Sequence, residues 1–514
     1  MDVFDNLQLG LEQVLTPTNL ALLFLGVTIG MVVGVMPGLG PSAGIAILLP
    51  LTLGLDPTGA VMMLAAIYYG AMYGGTITSV LVNTPGESAT VASTFDGYPM
   101  ARAGRAGPAL VLAAVASFVA GTIGVVLISV AAPTAADLAT SFGPAELFLI
   151  VLAGMLTIVA VTGGNRMLGV LSALLGFALA TVGPDIGSGT QRFTFGSTEL
   201  INGIDFIPVA IGLFGIGEIL WGVYGGEHRQ ELQTFSVRGI LRNLWPSAAE
   251  RVEARWTTVR GSLLGFVIGM VPGAGATVAS LMAYSTEKSL SKTPERFGKG
   301  AVPGLVGPEA ANNAASTGAM VPLLTLGIPG SASTAVLLAG FLVWGLQPGP
   351  GLLEDNPEFA WGLIASMFLG NIVLVVVNIV AIPVFASIAK VPMRLMSPGI
   401  VVVCVLGAFV VNGSIIEVAI MVGCGVLGFF MKRFGMSPAA LVIALVLGPI
   451  AETTLRQTLI ISDGSFSIFV QRGPAQVLLV MVVVLAALPL LLGLLRRRRA
   501  GGRTPTDDRE ETRL

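Results

Sequence analysis

The segment GVMPGLGPSAG at residues 34–44 returns as GMVPGAGATVA at residues 269–279, each inside a long apolar run. Pro37, Gly38 and Gly40 of the first copy align with Pro272, Gly273 and Gly275 of the second, and Ser42 aligns with Thr277. Gly30 and Gly34 find partners in Gly265 and Gly269. A second pair follows in the same order: NTPGESAT at residues 83–90 corresponds to GIPGSAST at residues 327–334. Further on, Pro144 before one apolar run parallels Pro398 before another. Small residues are abundant, so one match would carry little weight. Ordered matches mark a duplicated architecture. The chain divides into a first membrane repeat (1–224), a basic connecting loop (225–260), a second repeat (261–471), and an extra C-terminal helix with a basic tail (472–514).

Composition sets the solvent. Of 514 residues, 54% are hydrophobic and only 11% charged, with a mean hydropathy of +0.86. Soluble domains carry about 25% charged residues. A membrane-crossing helix needs about 20 apolar residues, and runs such as 110–130, 359–385 and 477–495 supply that length. The expected fold is an all-α polytopic membrane protein with about 11–13 transmembrane segments. Cys404 and Cys424 lie in apolar runs without C-x-x-C spacing and read as buried, inert thiols. No basic stretch precedes the first apolar run, so no cleavable signal is expected. The net charge of −2 carries no partner information for a membrane protein; no nucleic-acid partner is expected, and membrane lipid is the expected surround.

Loop charges orient the repeats. Lys and Arg concentrate in short cytoplasmic loops. The central loop holds Arg229, Arg238, Arg242, Arg251, Arg255 and Arg260, and the tail holds Arg496–Arg499, so both should be cytoplasmic. Equivalent loops of the two halves carry opposite charge. Arg102 and Arg105 stand against Glu354, Asp355 and Glu358; Asp137 stands against Lys390 and Arg394. Arg166 is set against Glu417, and Asp185, Glu199 and Asp205 against Lys432 and Arg433. Asp56 is set against Lys288, Lys292, Arg296 and Lys299. Such exchange of sides is what two inverted-topology repeats require. It puts the N-terminus in the periplasm and the C-terminus in the cytoplasm.

P-G-x-G inside an apolar run is the pattern of a broken helix. Proline removes a donor and clashes with the preceding turn, and glycine permits the backbone a break needs. Broken backbone at membrane depth is tolerated only against protein or a water-filled cavity. The short arms around residues 272–275 suggest a re-entrant hairpin. Exposed N–H groups at a half-helix start favour anions, and exposed carbonyls favour Na⁺. Ser42 and Thr277 stand where N-caps would. Asn83, Thr84, Pro85, Gly86, Ser88 and Thr90, with Gly327, Pro329, Gly330, Ser331, Ser333 and Thr334, give the second pair a small hydroxyl-rich surface suited to a carboxylate.

Between the second-half motifs, GPEAANNAAS (307–316) puts Glu309, Asn312, Asn313 and Ser316 on one helical face. Cation coordination, with Na⁺ held by Asn313, Ser316 and backbone carbonyls at the breaks, or proton coupling would suit that face. A helix-start carboxylate behind Pro308 is the other reading. Tyr68 and Tyr69 read as site residues or interfacial anchors, and Glu218 as an interior or helix-end carboxylate. No G-x-x-x-x-G-K-[ST] occurs. The sole histidine, His228, lies in the central loop, which excludes H-E-x-x-H chemistry. No catalytic residues or cofactor are expected.

Together GVMPGLG, NTPGE, GMVPGAGAT, GPEAANNAAS and LGIPGSAS resemble the large membrane subunit of the tripartite tricarboxylate transporters, over nearly the whole chain. The resemblance implies a permease of the bacterial inner membrane that works with a small membrane subunit and a periplasmic solute-binding protein. It implies secondary-active uptake of di- or tricarboxylates driven by Na⁺, with H⁺ as the alternative, by alternating access; it leaves room for a homodimer. An ion channel and an intramembrane lipid-processing enzyme are the other function classes, and the missing acid–base residues count against the enzyme.

Overall fold

The computed structural model describes residues 3–36, 39–161, 166–185, 187–224, 243–388 and 393–500. Pro37 and Gly38 of the first break, and His228, Arg229, Arg238 and Arg242 of the central loop, lie outside the described residues. The first half consists of α1 (Val3–Val14), α2 (Pro17–Val35), α3 (Pro41–Leu48), α4 (Pro57–Val82), α5 (Val91–Met100), α6 (Ala106–Thr140), α7 (Pro144–Val161), α8 (Arg166–Ala180) and α9 (Phe206–Tyr224). A two-residue ribbon, β1 (Gly183–Pro184) with β2 (Gln191–Arg192), precedes α9. The second half runs α10 (Ala248–Gly269), α11 (Gly275–Leu290), α12 (Val302–Gly318), α13 (Met320–Leu326), α14 (Ala332–Val343), α15 (Pro357–Ile388), α16 (Met393–Asn412), α17 (Ile415–Arg433) and α18 (Pro438–Ile461), and α19 (Gly473–Ala500) follows. Among the described residues, eight helices are long and apolar enough to cross a membrane, and five apolar helices are shorter. The chain is an all-α polytopic membrane protein.

Local chemistry sets the helix ends. Thr16 accepts from the Asn19 N–H at 3.3 Å and Pro17 opens α2; Asp56 accepts from Thr58 and Gly59 N–H before Pro57 opens α4. A capping oxygen followed by proline at the first helical position is a strong start signal. The helices before the second breaks stop in the same way: α4 at Asn83 (φ 55°) and α13 at Gly327 (φ 68°), both left-handed. Asparagine and glycine are the residues that enter this region readily.

The turns beyond also match. Thr90 Oγ1 accepts from the Glu87 N–H at 3.4 Å, and Thr334 Oγ1 accepts from the Ser331 N–H at 2.8 Å. Helix α2 packs closely on α4, as α10 does on α12. A Cβ at Gly34 would lie 2.2 Å from the Ala71 carbonyl oxygen, and one at Gly269 would lie 2.3 Å from that of Ala315. Glycine at these positions lets the backbones touch. Contacts beyond these pairs correspond as well: α6 on α12 answers α4 on α15, and α8 on α18 answers α9 on α17.

Buried polar bonds tie the halves together. Tyr73 of α4 donates to Asn371 Oδ1 of α15 at 2.8 Å, and Asn371 Nδ2 donates to the Phe118 carbonyl of α6 at 2.7 Å. Asp96 of α5 is fully buried and accepts from the backbone N–H groups of Gly298, Gly300 and Ala301, the last two at 2.7 Å. It thereby fastens α5 to the segment that starts α12. Arg105 pairs with Glu250, and Arg296 pairs with Glu253 at 3.0 Å, drawing three basic segments together.

Candidate functional site: a cavity where the broken segments meet

All four Pro-Gly segments converge. A cavity of about 650 Å³ is lined by Gly40 and Ser42 of the first break and by Pro85, Gly86 and Ser88 of the second. Gly273, Gly275 and Thr277 line it from the third break, and Ser331 and Ser333 from the fourth. The two halves meet directly at this wall: Ser88 Oγ and Thr277 Oγ1 are hydrogen-bonded at 2.8 Å. Within the second half, the Gly273 N–H donates to the Gly330 carbonyl at 2.9 Å, joining one break to the other. The volume falls within the range of small-molecule sites, about 300–1,000 Å³.

The helix starts at this wall differ from the sequence expectation. Ser42 and Thr277 are not N-caps. The caps are Gly40 for α3 and Ala274 for α11, and neither has a side-chain bond to the helix start. A helix start leaves N–H groups without an intrahelical acceptor. No side chain closes those of α3 and α11, and the residues of both helix starts line the cavity. These N–H groups, with the Ser42, Ser88, Thr277 and Ser333 hydroxyls, offer donors to a carboxylate. Helix α14 is closed instead, because Ser331 and Thr334 bond reciprocally across its first turn.

Not every expected residue reaches the cavity. Asn83 is the exposed, left-handed end of α4, and Thr84 follows it; neither lines the wall. Gly327, Pro329 and Thr334 are buried in the turn that supports Ser331, and Pro272 stands behind Gly273. Tyr68 and Tyr69 are buried rather than interfacial, and Tyr68 lines the cavity with its hydroxyl 3.4 Å from Ser331 Oγ.

Glu309 is no helix-start carboxylate. It lies within α12, fully buried, and accepts from Thr76 at 2.7 Å, from Ser93, and from Ser117 at 3.5 Å. Pro308 sits inside the helix, not at its start. Asn313 Nδ2 donates to Ser117 Oγ at 2.7 Å, and Ser316 donates to the Asn313 carbonyl at 2.7 Å. Both residues face a second chamber of about 20 Å³, shared with Tyr69, Tyr73 and Asn371. This chamber has room for a single water-sized occupant, and its polar groups are all uncharged. Asn312 is fully buried, and neither atom of its amide has a partner.

Three lining groups were missed as site residues or seen only in part from sequence. Glu87 stands in the first half where Ser331 stands in the second, and it lines the cavity. Its signal was visible, since a carboxylate inside an apolar membrane segment is itself a functional marker. Lys432 counted only as loop charge, yet it is the one basic side chain among the described lining residues and pairs with Glu218 of α9. Ser437, Pro438 and Ala439, at the start of α18, complete the wall and carry no motif.

Residues 20–443 match the tripartite tricarboxylate transporter TctA family. The chain belongs to that family. It is therefore the multi-pass membrane permease of a tricarboxylate transporter. The chain is 42% identical to an uncharacterized 52.8 kDa protein of Agrobacterium vitis, from the TAR-I ttuC' 3' region, over 94% of this chain and 95% of that one. It is 40% identical to an uncharacterized protein from the TAR-II ttuC' 3' region of the same organism, over 42% of this chain and 89% of that one. No solved structure matches. The Pro-Gly segments that line the cavity lie within the matched residues.

Proposed function

We propose that this permease takes up small di- or tricarboxylates across the bacterial inner membrane by alternating access, with the solute held between the four broken segments. The observation that carries the reading is their convergence on one cavity of about 650 Å³, beside two helix starts without side-chain caps. Anions are favoured at such starts without a fixed arginine, which allows release as well as capture. The two halves act as inverted-topology repeats, with the N-terminus periplasmic and the C-terminus cytoplasmic. In that orientation the cavity extends toward the cytoplasm, because it reaches Glu218, Trp221 and Lys432 near the ends of α9 and α17. The solute is delivered by a periplasmic binding protein, a small membrane subunit completes the transporter, and a Na⁺ gradient drives uptake, with H⁺ as the alternative.

The test is uptake into proteoliposomes that contain both membrane subunits, supplied with purified binding protein and candidate carboxylates, with and without a Na⁺ or H⁺ gradient. Saturable, gradient-dependent uptake of a carboxylate is expected. Failure of every carboxylate under all gradients, with correctly inserted protein, refutes the function. Orientation is tested separately: a membrane-impermeant thiol reagent added outside should label a cysteine at Glu354 and spare one at Arg102.

A further inference from the structure

The cavity has the wrong sign for its proposed solute. Two carboxylates, Glu87 and Glu218, line it against one basic side chain, Lys432, and that lysine is already paired with Glu218. A third carboxylate, Glu309, lies nearby: Glu87 packs against Gly75 of α4, and Thr76, the next residue, donates to Glu309 at 2.7 Å. Glu309 is held by the hydroxyls of Thr76, Ser93 and Ser117, which satisfy its oxygens and supply no positive charge. Uncompensated carboxylates inside a protein are costly unless a cation joins them. An anion brought against Ser88, the residue after Glu87, adds to the repulsion.

Unsatisfied atoms mark where the compensation sits. Glu87 Oε1 is buried without a hydrogen-bond partner. The Asn312 amide lies near Glu87 and is fully buried, but it is too far off or misdirected to complete a hydrogen bond, so neither its nitrogen nor its oxygen has a partner of proper geometry. Buried polar atoms are nearly always paired, so two neighbouring groups that fail to bond each other leave a place for a third. Of these atoms, the Glu87 and Asn312 oxygens are hard ligands that suit a small cation, whereas the Asn312 nitrogen is a donor and takes no part in holding it. The second half supplies a comparison within the same chain. At the position equivalent to Glu87 it has Ser331, which is satisfied by Thr334 and Tyr68. Glu87 and Ser331 both accept from the backbone of their own turn in a capping box, so the turn needs an acceptor at this position, which a hydroxyl supplies, and does not need a charge.

We propose that Glu87, Asn312 and Glu309 form a monovalent-cation site behind the cavity wall, and that its occupation must precede binding of the anionic solute. The cation is cargo, carried with the solute. This inference rests on the carboxylate-transport reading for its consequence, but the site itself can be tested without any carboxylate. The titratable groups around Glu87 are Glu309 on α12, Tyr68 on α4, and the Glu218–Lys432 pair on the same cavity.

The experiment follows the melting temperature of the purified full-length chain, with no carboxylate present, as NaCl replaces choline chloride at constant ionic strength. The same series is run at several pH values in choline alone. A saturable rise with Na⁺ in the native protein, absent in Glu87→Gln, is expected. A rise on acidification alone, also absent in Glu87→Gln, supports the same site with a proton as its occupant. No response of the native protein to either cation, or an unchanged response in Glu87→Gln, overturns the proposal. Should Glu87→Gln not fold, Glu87→Asp retains the charge but withdraws it by one methylene. Its half-saturating Na⁺ concentration should rise about tenfold or more, the factor that corresponds to about 1.4 kcal/mol; an unchanged value overturns the proposal. A cation response without carboxylate uptake in the proteoliposome assay would leave this site standing and remove the transport reading.

Discussion

Gly86 and Gly40 occupy similar positions in the sequence and opposite positions in space, and the difference predicts opposite outcomes for the same substitution. At Gly86 a Cβ would lie 2.1 Å from the Gly34 carbonyl oxygen and 2.5 Å from the Gly75 Cα. Ordinary contact between such atoms is about 3.5 Å, so the methyl group of Gly86→Ala must displace backbone by about 1 Å. Neither neighbour can give way easily, since Gly34 is pressed on α4 and Gly75 lies within α4. Forced overpacking costs about 1–3 kcal/mol, and collision with backbone places this case at the upper end. A shift of about 1 Å in a positioned segment reduces rates about a hundredfold where geometry controls the step. At Gly40 nothing lies within 4 Å of the added Cβ, so Gly40→Ala should fold normally and intrude only on the cavity. Melting temperature in detergent and uptake in proteoliposomes separate the two. Gly86→Ala should lose stability and most uptake, whereas Gly40→Ala should keep its stability and change its affinity for solute. Native-like melting and uptake for Gly86→Ala, with collapse of Gly40→Ala, would refute the assignment of these glycines.

Further outcomes follow from the polar contacts. Lys432→Met strands the part-buried Glu218, and the double variant Lys432→Met/Glu218→Gln should recover much of the lost stability; a cycle of melting curves should give a coupling of roughly 1–2 kcal/mol, below the about 3–5 of a fully buried pair, and strict additivity would contradict the pair. Asp96→Asn leaves three backbone N–H groups facing a neutral amide, so hydrogen exchange at Gly298, Gly300 and Ala301 should quicken; about 1.5–3 kcal/mol attaches to a hydrogen bond with a charged group, and unchanged protection would show that the clamp is idle. Outside the membrane, the Arg456 guanidinium, then the Ser188 N–H, hold the Asp185 carboxyl well below the usual range. Its folded pKa lies under its unfolded value, so its stabilisation is present at neutral pH and lost progressively below about pH 5. Asp185→Asn should flatten that acid limb in a melting series, and an unaltered limb would assign acid sensitivity elsewhere.

By itself the sequence determined that the chain lives in a membrane, that its halves share motifs, and that the motifs interrupt helices. Hydropathy and proline–glycine chemistry act over a few neighbouring residues, so these properties are written locally. The matching left-handed ends at Asn83 and Gly327 belong to the same class, because one backbone conformation selects both residues. Only the tertiary structure decided which side chains face one another. Whether Ser42 caps its helix depends on where the chain turns, and it turns at Gly40. Whether Lys432 is a loop charge or a cavity wall depends on the approach of α17 to α9, far apart in sequence. Glu87 and Asn312 are separated by most of the first half and part of the second. Their shared want of a partner appears only when both are buried at one place, because satisfaction of a polar group is a property of the whole surround.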